Sequence, residues 1–299
     1  MIIDKPGEVT DRILLLGTKE SCVYVLKGGE DYVLLGGGLV SIVPDVLEQL
    51  KDLDLDEKKI KRIVILNSHF DHCGIVPFFK KRWPWATVAA SERAKELLVA
   101  PRVIESIDRL DQVILAEYKR EKVAKDLGLE FKGIDVDEIV KDGDVLSCGD
   151  ISLEIIEVPG HSSCSIAVYV PQEKAMFASD SAGIPFGDQI FIAANSNFDK
   201  YQNSLEKMAT YEIDVILAEH FGARTGDDGR RFLKKSMEAA VETRDIIETS
   251  YARLRNVEKC TDEVTNTLME RLPEDFMPRD IIALVAGQMV KFIARKNAE

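Results

Sequence analysis

Long apolar runs are missing from this sequence. No stretch approaches the roughly 18 consecutive apolar residues of a membrane span, so no membrane partner is expected. Basic charge is also in short supply: 39 Lys and Arg face 52 Asp and Glu, a formal net charge of -13. Nucleic-acid binding rests on a basic surface that neutralises phosphates, so no nucleic-acid partner is expected either, and the surplus of acid serves solubility. Cysteine is sparse. Cys22, Cys73, Cys148, Cys164 and Cys260 form an odd set whose spacings fit neither a disulfide framework nor a zinc ribbon, which suits reduced thiols in a cytoplasm. The start, MIIDKPGEVTDRILLLG, has early acidic residues and no basic head before a long apolar stretch, so it does not read as a signal peptide. What the chain does have is 45% hydrophobic and 30% charged residues in 299, enough for a real core in a large α/β layer fold.

The first third alternates short apolar runs with turn signals. RILLLG, CVYVLKG and DYVLLGGG read as strands joined by glycine-containing turns, KRIVILN as a buried strand, and ATVAAS as another. VPDVLEQLKDL has helical spacing, GIVPFFKKRWP suggests a short helix closed by Pro84, and Ser91 before ERAKELL reads as a helix cap. Val103, Ile104, Ile107, Leu110, Ile114 and Leu115 recur at three- or four-residue steps, predicting one long amphipathic helix or two over 101–128. ISLEIIEVPGH, CSIAVYVP and KAMFASDSAG restore the strand pattern, FDKYQNSLEKMATY is helical, and DVILAEH is a strand. Strand signals stop near residue 228, and the tail is helical throughout. The expected organisation is a core over 1–228, with a helical insertion at about 92–128, and a C-terminal helical extension over 229–299 packed on that core.

Histidine is scarce, and its placement is informative. All four, His69, His72, His161 and His220, sit just after a strand-like run beside a glycine or turn, and Asp180 in FASDSAG does the same. Loops at strand ends held by a rigid sheet are where sites are commonly built. Histidine is the commonest metal ligand and carboxylates can bridge two ions, so this pattern points to a metal site.

Taken in order, NSHFDHCG, PGHS, SDSAG and AEHFG resemble the metal-ligand motifs of the metallo-β-lactamase superfamily, whose first motif reads HxHxDH; eighteen residues separate His161 from Asp180. The resemblance implies an αββα sandwich with a metal site at the sheet edge. SHFDHCGIVPFF, ASER, VIESIDRL and EDFMP further resemble the quinolone-signal response branch of that superfamily, known from Pseudomonas. That branch is similar in length, ends in a helical extension and contains an aminobenzoylacetyl-CoA thioesterase with a di-iron site. By this likeness one divalent ion is held by His69, His161 and Asp180, with Asn67 at its remaining protein position. The second is held by Asp71, His72, His220 and the shared Asp180. Zn and Fe are the expected ions, with Mn a further option. The implied chemistry is attack on a thioester, ester or lactone by a water that the ions acidify, with Asp71 and Asp180 catalytic and Asp71 orienting the water and carrying its proton.

The chain departs from the pattern in three places. Asn67 replaces a histidine, and an amide oxygen is the weaker ligand. Three outcomes stay open: its oxygen coordinates, it holds a coordinating water, or the first site is weak or part-empty. Gly36 in LLGGGL stands where relatives carry an aspartate, so a hydrogen bond around the ligands is expected to be missing or replaced. The three glycines lack phosphate-loop spacing and read as a tight turn. Ile184 replaces a glutamate, which leaves the substrate open. Cys73 and Cys164 are expected as buried small hydrophobes rather than ligands.

Ile184, Phe186 and Phe191, in a loop GIPFGDQIFIAAN, are the candidate substrate-binding residues, lining an apolar tunnel that the helical additions roof. Arg102, Arg109 and Lys291 are candidate contacts for a CoA phosphate. The expected partners are a small-molecule substrate and, as an open option, a second copy in a homodimer. Two other function classes fit less well. A flavodiiron-type oxygen or redox protein has HxExDH, with glutamate where His69 stands. A non-catalytic regulatory member would keep the metal site as a structural element.

Overall fold

The computed structural model describes residues 1–273 and 276–297. Glu274 and Asp275, the start of the EDFMP stretch, lie outside the described residues, as do residues 298–299.

The apolar runs of the first half form a seven-stranded sheet whose spatial order follows the chain: Gly7–Glu8, Ile13–Gly17, Cys22–Gly28, Asp31–Leu35, Ile60–Val64, Thr87–Ser91 and Glu138–Val140. The first four strands run antiparallel through short turns, and the last four run parallel. Parallel pairing needs a crossover. Helices Val43–Asp52 and Val76–Arg82 supply two, and Glu92–Leu98, Pro101–Glu117 and Glu121–Leu127 lie in the third. The break between the last two falls at Lys119, in the left-handed region at φ 55°, which resolves the long pattern into two helices.

Both faces are buried at the centre of this sheet, so strand Ile13–Gly17 and most of Cys22–Gly28 are apolar in a continuous run rather than alternately. Ile13, Leu15, Tyr24, Leu26, Val33 and Leu35 point one way, into the layer between the sheets. Their neighbours Leu14, Leu16, Val23, Val25 and Leu34 point the other way, under the helices. The period of two in a strand makes this division automatic.

A second seven-stranded sheet has the order Ile2–Ile3, Ala223–Thr225, Val215–Leu217, Ala175–Phe177, Ile166–Val170, Ile151–Glu157 and Val145–Cys148. Ile151, Leu153, Val168, Phe177 and Leu217 meet the first sheet's inner face. On its outer face, Ile156, Met176 and Ile216 join Phe232, Leu233, Ala240 and Ile247 of helix Asp227–Leu254 and the apolar sides of helices Phe198–Met208, Val257–Met269 and Arg279–Lys296. The layers therefore run helices, sheet, sheet, helices, with three apolar cores between them.

All five cysteines are free and buried. Among the described residues, no helix is long and apolar enough to cross a membrane.

The stretch read as a loop after Asp180 is in part a hairpin. Ile184–Phe186 pairs antiparallel with Gln189–Phe191. Gly187, at φ 55°, supplies the left-handed turn that a two-residue hairpin needs. Strands of three residues leave too short a period to read in advance.

Candidate metal centre

The turn carrying three of the histidine-motif residues is pinned on both sides. Its backbone leaves strand Ile60–Val64 with Ile65 N–H donating to Ala89 O and Leu66 O accepting from Ile166 N–H of the opposite sheet, each at 2.9 Å. Past the motif, Gly74 N–H and Ile75 N–H donate to Gly38 O and Gly37 O. The glycine run is what permits this approach, since a side chain on Gly37 would run into the carbonyl of His72 and the backbone of Cys73.

His161, Asp180 and His220 follow strands Ile151–Glu157, Ala175–Phe177 and Val215–Leu217 of the second sheet. Ser179, before Asp180, and Phe221, after His220, both hold left-handed backbone at φ 49° and 58°. Non-glycine residues rarely adopt that region without being held there. Here Phe221 N–H donates to Lys19 O at 2.7 Å, and Ser181 N–H and Gly183 N–H donate to Ala178 O and Asp180 O.

The six side chains converge. His161 Nε2 lies 2.9 Å from His69 Nδ1 and 3.6 Å from Asp180 Oδ2. Across Asp180, its Oδ2 is 3.2 Å from His72 Nε2 and its Oδ1 is 3.7 Å from His220 Nε2. Asp71 completes that side, with Oδ1 3.7 Å from His72 Nε2 and Oδ2 3.6 Å from His220 Nε2. Ligands bound at 2.0–2.1 Å in a tetrahedron sit roughly 3.3 Å apart, and the distances here scatter about that edge. Asp71, His72 and His220 form one set able to hold an ion, and His72, His161 and Asp180 another.

The far side of two of the four imidazoles is also fixed by a backbone carbonyl. His161 Nδ1 donates to Ala193 O at 2.8 Å and His220 Nδ1 to Glu20 O at 2.6 Å. A proton on Nδ1 leaves Nε2 with a free lone pair aimed inward, as a ligating histidine requires. Asp180 Oδ1 is buried and, among the described residues, accepts no hydrogen bond. An uncompensated carboxylate oxygen in that setting is costly unless a cation meets it. The donor set therefore fits divalent metal.

The electrostatics agree. Burial lowers His69 to about 4, with the neighbouring His161 adding to the effect, and burial lowers His161 against the pull of Asp180. Both are neutral near pH 7, as ligands must be. On the other side, burial is outweighed by acids: Asp180 and Asp71 raise His220 to about 9, and Asp71, Glu219 and Asp180 raise His72. Burial likewise fails to hold up the two aspartates. His72 and His220 depress Asp71, and His220 and His72 depress Asp180, both far below the carboxylate range. In the metal-free protein the two acids are thus met by protons on His72 and His220, which an incoming divalent ion would displace.

The metallo-beta-lactamase superfamily model matches residues 17–220. The chain belongs to the metallo-beta-lactamase superfamily. Within it, the chain is similar to the human acyl-coenzyme A thioesterase MBLAC2, 26% identical over 212 residues that cover 67% of this chain and 72% of that protein. The bovine MBLAC2 acyl-coenzyme A thioesterase is 25% identical over the same extent. Two solved superfamily structures share the fold. The metallo-beta-lactamase family protein of Thermus thermophilus superposes with a TM-score of 0.69 at 17% identity, covering 97% of this chain and 95% of its own. The archaeal superfamily protein of Sulfolobus tokodaii gives 0.59 at 17% identity, covering 96% and 98%. The αββα architecture is thus the metallo-beta-lactamase fold with C-terminal helices, as the motifs implied.

Asn67 is fully buried, and both ends of its amide are engaged. Its Oδ1 accepts from His69 N–H at 2.9 Å and its Nδ2 donates to Ser179 Oγ at 3.0 Å. Cys73 and Cys164 are buried; burial, then the nearby Asp111, raises the Cys73 thiol. Ile184 and Phe191 lie in the core beneath the C-terminal helices. Phe186 is half-buried and packs edge-on to Phe221 at 4.8 Å and Phe276 at 5.3 Å. This aromatic group adjoins His220 through Phe221, and Lys19 Nζ stands over the Phe186 ring at 5.2 Å. Arg102, Arg109 and Lys291 are exposed. The cleft beside the hairpin is lined by residues such as Ile190, Lys235, Glu242 and Arg271, and by none of the six converging side chains.

Two buried residues around the centre escaped the sequence reading. Ser179 links Asn67 to the His72 ring. Glu219, 1% exposed, faces the same ring. A glutamate closing the apolar run DVILAEH was the available signal, since a charge at a buried strand end needs a partner.

Proposed function

We propose that the chain is a metal-dependent hydrolase of small thioesters, with acyl-CoA as the substrate class. The observation that carries it is Asp180, buried between two sets of imidazoles with an oxygen that no protein donor satisfies. Two divalent ions held there would supply Lewis acidity and would acidify a bound water toward neutrality. The residues supply the rest. His69, His161 and Asp180 hold one side, and Asp71, His72, His220 and Asp180 the other. Asp71 is the most open of the acids, with its side chain 24% exposed, so its Oδ2 can orient a water and receive its proton. Asn67 serves as a turn former that sets His69, rather than as a ligand.

The thioester class is supported by the printed activity of the MBLAC2 relatives. The aromatic group of Phe186, Phe221 and Phe276 beside His220 offers an apolar wall for an acyl chain, and Lys19 above it offers a cation for a CoA phosphate. Affinity to the quinolone-signal response branch, cytoplasmic location and Zn or Fe as the ions are parts of the same proposal.

The test is a panel of acyl-CoAs, aryl esters and lactones, assayed with Zn, Mn or Fe after metal analysis. Thioester cleavage that disappears in Asp180→Ala is expected. Two bound metals with turnover of lactones or aryl esters alone would move the substrate class, and no turnover with any metal would favour the regulatory reading.

A further inference from the structure

His161 and His220 each give their outward nitrogen to a backbone carbonyl. His72 does not. Its Nδ1 lies 2.9 Å from Glu219 Oε2, a bent approach, with only the Ser179 hydroxyl, at 3.4 Å, as a second neighbour. Among the described residues Glu219 Oε2 is buried and accepts no aligned hydrogen bond, its 2.9 Å approach to His72 Nδ1 being an ion-pair contact. Its other oxygen, Oε1, accepts from Gly37 N–H at 3.2 Å, and its backbone carbonyl accepts from Cys22 N–H at 2.7 Å. The residue is thus anchored through its backbone and through one carboxylate oxygen, with the other oxygen turned toward one ring.

The space it occupies is equally telling. A side chain on Gly36 would overlap Oε1 and the carboxyl carbon of Glu219. Gly36 also sits at φ 85°, in the left-handed region. Position 36 is therefore bare because a carboxylate from residue 219 fills the gap above it. The carboxylate that position 36 lacks is supplied from the opposite sheet, just past strand Val215–Leu217.

We propose that Glu219 is a positioning residue for the metal centre. It keeps His72 Nδ1 protonated and the ring fixed, so that Nε2 faces Asp180 and Asp71. The proposal rests on the metal-centre reading above. A carboxylate behind a ligating imidazole raises its basicity and typically contributes 10–100-fold in metal affinity.

The experiment titrates the purified chain and Glu219→Gln with Zn against a chromophoric chelator, and records long-range 1H–15N spectra of the zinc-loaded wild-type protein. Glu219→Gln keeps the volume and the acceptor for Gly37. Its affinity at the site of Asp71, His72 and His220 is expected to fall 10–100-fold, with the other site within about threefold. In the wild-type spectrum His72 is expected to carry its proton on Nδ1 and bind through Nε2. The double variant Gly36→Asp/Glu219→Ala, which returns a carboxylate from the opposite side, is expected to recover at least tenfold over Glu219→Ala. If Glu219→Gln does not fold, the wild-type spectrum decides. Zinc bound through His72 Nδ1, or an unchanged affinity in Glu219→Gln, overturns the assignment. Failure of the wild-type protein to bind zinc at all would instead overturn the metal-centre reading.

Discussion

Replacing Asn67 by alanine separates a turn former from a ligand. The side chain makes two hydrogen bonds, one part-buried at 2.9 Å from His69 N–H and one buried at 3.0 Å to Ser179 Oγ. Each contributes about 1 kcal/mol net, and a buried N–H left without its acceptor costs about 1–3 kcal/mol. The Ser179 Oγ can still accept from His72 Nδ1–H, so its loss sits at the low end. Together these give a destabilisation of roughly 2–4 kcal/mol. Neither bond involves a metal, so the loss must appear in metal-free protein. Urea unfolding of metal-free and metal-loaded samples of wild type and Asn67→Ala measures it. The expected result is a loss of similar size in both states, with a secondary weakening at the His69 and His161 side. A metal-free difference under about 0.5 kcal/mol, with the whole deficit confined to the loaded protein, would refute the reasoning and make Asn67 a ligand.

Further expectations concern charge and packing. His220 is raised to about 9 and His72 is also raised, so both hold protons at pH 7 in metal-free protein. Metal uptake should release protons, visible with an indicator dye in weak buffer, and apparent affinity should rise with pH. The same upward shift means that the stability His220 gives the metal-free fold is full below its unfolded value near 6.5 and fades as pH rises through about 9; metal-free melting curves at pH 6 and pH 9.5 check the sign. Asp111 is buried with both carboxyl oxygens unpaired, and burial, aided by Asp108, raises it to about 8. Asp111→Asn should raise the melting temperature of metal-free protein above pH 8 and leave it nearly unchanged below pH 4. Phe276 packs within 5.3–5.6 Å of Phe186, Phe191 and Phe221, and Phe276→Ala should cost about 3–5 kcal/mol in urea unfolding.

The residues that converge at the centre were legible because each motif is short and chemically dense. His69, Asp71 and His72 lie within four residues, and every histidine follows an apolar run that folds as a strand. The two-faced apolar strands likewise announce a sheet buried on both sides. What lay hidden depends on distance in the chain. Nothing local in LLGGGL says that the carboxylate filling the gap over Gly36 comes from residue 219. Asn67 read as a substituted ligand because its partner Ser179 is 112 residues away. The hairpin at 184–191 was missed because three-residue strands show no period, although its Gly187–Asp188 turn was in view.

The centre takes His69, Asp71 and His72 from one sheet and His161, Asp180 and His220 from the other. Whatever fills it is then a bolt through the sandwich, closing a loop from residue 69 to residue 220. Such a bolt restrains the separated halves more than it restrains either half alone. Stripping it should loosen the seam between the sheets before it loosens either sheet, and proteases should find their first cuts in the connections that cross that seam.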